Sequence, residues 1–159
     1  MKTLYIVRHA KTNKIQNDSE RRLQPLGVER MNKLGRYLKT NDCKIDVLYS
    51  SSAIRAVQTA QIIAEHLDYP KNKIISTEQL YMNGQEEYFN IIVAQDSATT
   101  NNIMIVGHNP DVSNIAHFFI PDFISYLQTG ACFCFDFKTD DWTRIFTAER
   151  EVRFYVRFQ

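Results

Sequence analysis

The sequence predicts a three-layer α/β fold, in which a mostly parallel sheet lies between helices. Over the first two thirds of the chain, short apolar runs alternate with segments of helical periodicity, as in parallel strands joined by helices. The last part holds strand-like runs with no helical segment between them, which indicates antiparallel strands at one edge of the sheet. The chain has 159 residues and no internal repeat or linker, so a single domain over residues 1–159 is expected.

The elements of the first half follow from local patterns. Residues 2–7 are β-branched and aromatic, with apolar side chains on both faces at the end of the run, as in a buried strand. The polar residues 8–22 have no periodicity and are expected to form a loop. Apolar side chains at helical spacing predict a helix at 27–38. A second strand at 46–50 precedes a helix at 53–67, for which the consecutive serines between them are candidate N-caps.

The second half continues the alternation and then ends in strands. A short strand is expected at 73–76, at an edge of the sheet, and a helix at 86–95. Residues 102–106 are the most strand-like run in the chain, and a helix at 111–118 follows them. The remaining apolar runs predict further strands at 131–137, 144–147 and 152–158.

Composition excludes several classes of protein. Nineteen Lys and Arg against eighteen Asp and Glu leave a net charge of +1, whereas nucleic-acid binders usually carry a basic excess, so no nucleic-acid partner is expected. No window approaches the roughly 18 apolar residues of a membrane span, and the apolar run ending at Val7 is too short for a signal peptide. Three cysteines exclude complete disulfide pairing. We therefore expect a cytoplasmic protein with free thiols and no membrane contact.

Basic side chains follow three of the predicted strands, close to the point where each strand ends. Arg8 and His9 follow the first strand, Arg55 lies at the start of the helix after the second, and His108 follows the strand at 102–106. Ligands of open α/β sheets bind beyond the carboxyl ends of the strands. We therefore expect these four side chains to converge on one site.

These residue types suit phosphoryl transfer. The planar guanidinium group matches phosphate oxygens bidentately, and a neutral imidazole can attack phosphorus to form a phosphohistidine intermediate. Arg8 and Arg55 would bind phosphate and lower the pKa of His9, while His108 would donate to the charge that develops on the phosphoryl oxygens. The sequence has no carboxylate cluster typical of a Mg²⁺ site and no GxxxxGK loop. We therefore expect chemistry without a metal or cofactor.

Three motifs in order resemble the histidine phosphatase (phosphoglycerate mutase-like) superfamily. Residues 8–10, Arg-His-Ala, resemble its RHG signature, residues 49–60 are similar to its S-S-x-x-x-R-A-x-Q-T-A segment, and residues 106–110 are similar to its second histidine motif. Within the superfamily the chain looks like the small SixA-type phosphohistidine phosphatases. The marks of that type here are Ala10 with Lys11, Arg21 before Leu23 and Gly27, Asn109 with Pro110, and Thr129 with Gly130. The resemblance implies the phosphoglycerate mutase-like fold.

The resemblance also implies a role for individual residues. His9 would be the phosphorylated nucleophile, and the phosphate pocket would be completed by Arg8, Arg55 and His108. Substrate binding is implied for Arg21, Thr12 and Asn109. The implied partner is a phosphorylated protein, such as a histidine phosphotransfer domain.

One position departs from the mutase pattern. Mutase-type members carry Glu where this chain has Met82, and a methionine cannot donate a proton. Glu78, Glu86 and Glu87 are nearby in the sequence, but none is at that position. A sugar or glycerate alkoxide needs a proton to leave, whereas the nitrogen of a phosphohistidine leaves more readily. The departure favours a phosphohistidine substrate and argues against mutase activity.

Two other functions stay open at this stage. The chain could act on small phosphoesters, with a phosphorylated metabolite as its partner, because family resemblance identifies the reaction better than the substrate. A non-catalytic module that binds phosphoproteins is the other alternative, and His9 argues against it because binding alone needs no nucleophile. The function expected from the sequence is a metal-independent phosphatase acting on phosphohistidine in a protein.

Overall fold

A six-stranded sheet forms the centre of the computed structural model, which describes residues 1–14 and 17–159. Its strands, numbered in chain order, are β1 (Lys2–Arg8), β2 (Val47–Ser51), β3 (Ile75–Thr77), β4 (Asn102–Gly107), β5 (Cys132–Phe137) and β6 (Arg150–Val156). They lie in the order β3-β2-β4-β1-β5-β6. The first four strands are parallel, whereas β5 is antiparallel to both β1 and β6. The predicted α/β class, with antiparallel strands added at one edge, is confirmed.

Helices cover both faces of this sheet, and they are α1 (Pro25–Thr40), α2 (Ile54–His66), α3 (Gln85–Val93) and α4 (Asp111–Phe119). Because successive side chains of a strand point to opposite faces, β1 contributes to two cores. Tyr5 and Val7 pack with apolar side chains of α1 and α2, whereas Leu4 and Ile6 pack with those of α3 and α4. The predicted helices are confirmed, with ends that agree to within two residues.

The strand predicted at 144–147 is wrong. Trp142–Arg144 form a short 3₁₀ helix instead, and the carboxylate of Asp141 caps its start. The Trp142 side chain is fully buried and its indole N–H donates to the carbonyl of Thr100 at 2.7 Å. Trp142 and Ile145 therefore fill the core from a turn and not from a strand.

The segment predicted as a loop, residues 8–22, is irregular over most of its described length. It contains a short 3₁₀ helix at Asp18–Glu20, and Thr12 pairs with Leu23 in an isolated antiparallel bridge. Residues 15 and 16 of the predicted loop lie outside the described residues.

The three cysteines are buried and free, in the core under α1 and α2. Cys132 and Cys134 lie on the same face of β5, with Cys43 in the same cluster. In the described part of the chain, no helix combines the length and the apolar character that crossing a membrane requires.

The register of the sheet determines where a site can form. Arg8 at the end of β1 is paired with Gly107 of β4, and Val106 of β4 is paired with Ser50 of β2. These three neighbouring strands run in the same direction, so the residues that follow them meet at one edge of the sheet.

Candidate active site

Arg55 lies between two histidines at the carboxyl edge of the sheet. Its Nε is 3.3 Å from Nε2 of His9, and its Nη2 is 3.2 Å from Nδ1 of His108. The centroids of the two imidazole rings are 5.1 Å apart. The structure thus brings together three of the four residues expected to converge, and Arg8 lines the same cavity.

The hydrogen bonds of His9 determine its tautomer. Nδ1 lies 2.8 Å from the carbonyl oxygen of Ala10, which can only accept, so Nδ1 carries the proton. Nε2 therefore carries the ring lone pair and accepts from Nε of Arg55, and both residues line the cavity. The backbone N–H of His9 donates to the carbonyl of Gly107 at 3.0 Å, which anchors the residue to β4. Burial, together with the nearby His108 ring and the Arg55 charge, lowers the pKa of His9 from 6.5 to about 3.

Both ring nitrogens of His108 are engaged. Because Arg55 can only donate, Nδ1 of His108 accepts from it, and Nε2 donates to Oγ of Ser51 at 2.7 Å. Burial and the charge of Arg55 lower the pKa of His108 to about 3. In this arrangement His108 positions Arg55 and presents no free N–H to the cavity, which differs from the sequence expectation that it donates to phosphoryl oxygens.

The backbone of His108 is held by a close contact that only glycine permits. The His108 N–H donates to the hydroxyl of Tyr88 at 3.3 Å. A Cβ atom on the preceding residue, Gly107, would lie 1.9 Å from that hydroxyl oxygen. The glycine at the end of β4 therefore lets Tyr88 reach the site from α3.

The predicted serine N-cap of α2 is wrong. Ala53 occupies the N-cap position, with no capping side chain. Ser51 accepts from His108 instead, and it also accepts the backbone N–H of Ala53 at 3.3 Å. The serine at the end of β2 thus orients a histidine of the site.

Asp18 completes the surroundings of Arg55, whose side chain is only 1% exposed. Nη1 of Arg55 donates to the Asp18 carbonyl at 2.6 Å and Nη2 donates to Oδ2 at 3.0 Å. The hydroxyl of Tyr81 donates to the same carboxylate oxygen at 2.6 Å, and Arg21 donates to Oδ1 at 3.1 Å. The hydrogen bond from Tyr81, with those from Arg55 and Arg21, lowers the pKa of Asp18 to about 2.

Arg8 and Asn109 both hold the loop that follows α4. Nη1 of Arg8 and Nδ2 of Asn109 donate to the carbonyl of Leu127 at 2.8 and 2.9 Å. The Asn109 side-chain oxygen accepts from Ser113 at 2.5 Å, so its amide is committed to positioning this loop. Nε of Arg8 is buried and has no partner among the described residues, which leaves a donor for an oxyanion.

Arg21 and Thr12, both expected to bind substrate, contact each other at one side of the cavity. Nη2 of Arg21 donates to the hydroxyl of Thr12, and Nε donates to the carbonyl of Asn13 at 2.9 Å. Both residues line the cavity. Since Arg21 also holds Asp18, this side of the site is a connected hydrogen-bond network.

The cavity has a volume of about 480 Å³ and a strongly positive lining. Asp18 is its one carboxylate among the described residues, against seven cations: Arg8, Lys11, Lys14, Arg21, Arg30, Arg55 and Arg157. The whole chain carries a net charge of only +1, so positive charge is concentrated here, and such a cavity attracts anions. A larger depression of about 610 Å³, near Asp46 and Asn102 at the amino ends of β2 and β4, contains none of these residues.

Met82 also lines the cavity, whereas Glu78, Glu86 and Glu87 do not. The one carboxylate that does, Asp18, has a pKa of about 2 and is therefore ionised at neutral pH. Within the described lining, no carboxyl group holds a proton that it could donate to a leaving group.

Sequence reasoning missed several residues of the site. Asp18 precedes Arg21 by three residues, and side chains at this spacing can form an ion pair. This spacing is the one signal in the sequence that could have identified Asp18 as a site residue. The position of Ser51 before a helix suggests only an N-cap, and no pattern in the sequence marks Tyr81 as a partner of Asp18. In residues 1–14 and 17–159, no three His, Cys, Asp or Glu side chains are grouped so that they could hold a metal ion.

The two buried histidines are expected to make the folded protein sensitive to acid. Their pKa values of about 3 lie below the value of about 6.5 in an unfolded chain, which therefore binds more protons in this interval. The stability from the neutral rings is fully present above about pH 6.5 and is lost as the pH falls, by as much as about 1.4 kcal/mol per pH unit for each ring. Urea unfolding at a series of pH values measures this slope. The slope is proportional to the number of protons that the chain takes up on unfolding, and His108→Asn should lower this number by about one. Equal slopes for the two proteins would contradict the prediction.

A known family matches the part of the chain that contains three of these site residues. Residues 4–81 match the model of the histidine phosphatase superfamily (branch 1). The matched part contains Arg8, His9 and Arg55, and it ends before His108. No curated protein sequence matches the chain at a significant level.

Several solved structures share the fold over nearly the whole chain. A protein from Nakamurella multipartitia assigned as a phosphohistidine phosphatase SixA matches with a TM-score of 0.84 and 20% identity, over 98% of this chain and 95% of that chain. The protein histidine phosphatase SixA complexed with tungstate matches with a TM-score of 0.83 and 16% identity, over 98% and 96%. A phosphoserine phosphatase from Entamoeba histolytica, in complex with 3-phosphoglyceric acid, matches with a TM-score of 0.70 and 18% identity, over 100% and 98%. These likenesses establish the phosphoglycerate mutase-like fold.

Proposed function

We propose that this chain is a member of the histidine phosphatase superfamily, whose model matches residues 4–81, and that it is a phosphatase that transfers a phosphoryl group first to His9 and then to water. The observation that carries the proposal is the tautomer of His9. Its Nδ1–H donates to the Ala10 carbonyl at 2.8 Å, so the ring lone pair is on Nε2, which accepts from Arg55 in a cavity rich in arginine. Because burial keeps the pKa of His9 at about 3, almost every molecule holds the neutral nucleophile at neutral pH.

In the first step, the phosphoryl group replaces Nε2 of His9 as the acceptor for Nε of Arg55. The freed lone pair of Nε2 attacks phosphorus, and the bond between phosphorus and the leaving group breaks. The electron pair of that bond goes to the leaving group. Arg8 and Arg55 hold the phosphoryl oxygens and stabilise the charge that develops on them. Arg55 exchanges its carboxylate partner, Asp18, for the phosphoryl group, while His108 keeps the guanidinium in position.

In the second step, water attacks the phosphorus of phosphorylated His9. The bond between Nε2 and phosphorus breaks, inorganic phosphate forms, and Nε2 regains its lone pair. The cationic side chains supply the positive charge that a metal ion supplies in other phosphatases. The proposed reaction therefore proceeds without a metal ion.

The proposed substrate is phosphohistidine in a protein. Met82 and the ionised Asp18 leave the described cavity lining without a carboxylic acid that could protonate a leaving group. A nitrogen leaving group tolerates this better than an alkoxide. The names of the similar SixA structures support the same substrate class.

A small phosphoester is the second candidate substrate. The likeness to the Entamoeba histolytica phosphoserine phosphatase, which is bound to 3-phosphoglyceric acid, favours it. The absence of a proton donor at Met82 argues against rapid cleavage of alkyl esters.

Trapping the phosphorylated enzyme tests the proposal. A phosphotransfer protein labelled with radioactive phosphate on histidine is mixed with the enzyme in the presence of EDTA and quenched rapidly in alkali. We expect label on the enzyme that is stable to alkali and labile to acid, and that maps to His9 by mass spectrometry.

His117→Asn is a matched control, since His117 is exposed on α4 outside the cavity. This variant should be labelled like the wild type, whereas His9→Asn should stay unlabelled. Label on His9→Asn would refute His9 as the nucleophile. A loss of labelling in EDTA that a divalent cation restores would refute the metal-independent mechanism.

A further inference from the structure

Two arginines line the cavity beyond the residues to which the proposed reaction assigns a role. Arg30 projects from α1, and Arg157 follows the end of β6. They are far apart in the sequence, and only the antiparallel return of β6 beside β5 brings them to one cavity.

Both arginines have donors without a partner. Nε of Arg30 and Nε of Arg157 are buried and make no hydrogen bond with the described residues. Neither guanidinium forms an ion pair with any described carboxylate. Buried donors without partners are rare in folded proteins, and two like charges in one cavity repel each other. Both features are explained if this part of the cavity receives an anion.

The position of Arg157 is supported by its neighbours. Phe158 packs its ring against Tyr37 of α1 with centroids 5.7 Å apart, and Phe154 does so at 5.3 Å. Nζ of Lys33 donates to the backbone carbonyl of Gln159 at 3.0 Å. These contacts hold the segment after β6 against α1, the helix that carries Arg30.

We infer that Arg30 and Arg157 form a second anion-binding subsite, which takes the carboxylate of an Asp or Glu residue that flanks the phosphohistidine of a protein substrate. The inference rests on the proposed function for the identity of the substrate. The cavity volume of about 480 Å³ is typical of pockets that hold more than a single small ion. Among the amino acids that can flank a phosphohistidine, Asp and Glu carry an anionic side chain at neutral pH, and in both the anionic group is a carboxylate.

Phosphohistidine peptides test the subsite. In one series Glu is placed at successive positions before and after the phosphohistidine, and in the matched series Gln replaces each Glu. We expect the wild type to hydrolyse at least one Glu peptide with a kcat/KM about tenfold above that of its Gln partner, because a charge-assisted hydrogen bond contributes about this factor. In the double variant that combines Arg30→Gln and Arg157→Gln, the ratio of kcat/KM for the Glu peptide to that for its Gln partner should fall to about one.

Arg36→Gln is the matched control, because it removes the same charge from an exposed position of the same helix outside the cavity. This variant should keep the ratio of the wild type. Equal rates on both peptide series in the wild type would overturn the inference, as would a ratio that the double variant retains. The single variants Arg30→Gln and Arg157→Gln, compared by circular dichroism, separate loss of the subsite from loss of the fold.

A second measurement separates this inference from the proposed function. If no peptide is hydrolysed, the proposed function fails. The subsite is then tested separately, by calorimetric measurement of the affinity for inorganic anions. Tripolyphosphate should bind the wild type about tenfold more tightly than orthophosphate, and the double variant should lose this difference. Equal affinities in the wild type would overturn the subsite by itself.

Discussion

Replacing His9 with asparagine is expected to lower kcat by about 10⁴-fold or more, as loss of a nucleophile does in other enzymes with covalent intermediates. The amide nitrogen of asparagine has no lone pair available for attack, so water would have to attack the substrate directly. Arg8 and Arg55 stay in place, and the variant should still bind oxyanions. Steady-state hydrolysis of a phosphohistidine protein measures the first effect, and calorimetric titration with tungstate measures the second.

The two measurements together identify the role of His9. Loss of turnover with tungstate binding retained means that His9 supplies the nucleophile to an intact anion site. If His9→Asn keeps more than about one hundredth of the wild-type rate, a different nucleophile operates, because removing a true nucleophile costs far more than that. His108 would then be the next candidate, since its ring lies 5.1 Å from that of His9.

The rate of His9 phosphorylation is expected to depend steeply on the pKa of the leaving group. General acid catalysis contributes about 10²–10⁴-fold, and no carboxyl group of the described cavity lining holds a proton to donate. Alkyl phosphates should therefore react more slowly than aryl phosphates and phosphohistidine by about that factor. Rapid-quench rates for phosphate monoesters of graded leaving-group pKa, with phosphohistidine alongside, measure the dependence.

A pair of variants at Met82 tests the cause. Met82→Glu adds a carboxyl group at the cavity wall, and Met82→Gln adds a side chain of the same shape that cannot donate its proton. We expect the glutamate variant to gain on alkyl phosphates relative to phosphohistidine, and the glutamine variant to show no such gain. A flat dependence on leaving-group pKa in the wild type would mean that another group supplies the proton. That result would remove the main physical support for a phosphohistidine substrate.

Local patterns were sufficient for most of the fold. The apolar run of β1 and the helical spacing of α1 depend on residues close together in the sequence, so they can be recognised without tertiary information. The segment at Trp142 shows the limit of such patterns. Its apolar residues resemble a strand, but whether they form one depends on a free neighbouring strand edge, and only the assembled sheet determines that.

The same distinction applies to the candidate site. His9, Arg55 and His108 were predictable because each lies at or just beyond the end of a parallel strand, and the carboxyl ends of parallel strands meet at one edge. The state of these residues was not predictable. The tautomer of His9 depends on its hydrogen bond to the Ala10 carbonyl. The partner of Arg55 depends on the position of the loop that carries Asp18.

The sequence by itself determined the α/β class, the helices and the strand ends at which the reactive residues stand, because these follow from short-range periodicity and from the direction of parallel strands. Only the tertiary structure decided that Asp18 holds Arg55, that Ser51 orients His108, and that Arg157 lines the same cavity as Arg30. Each of these contacts joins residues that are distant in the sequence, through loops or an antiparallel return. Their geometry depends on the packing of the whole chain, and no local pattern encodes it.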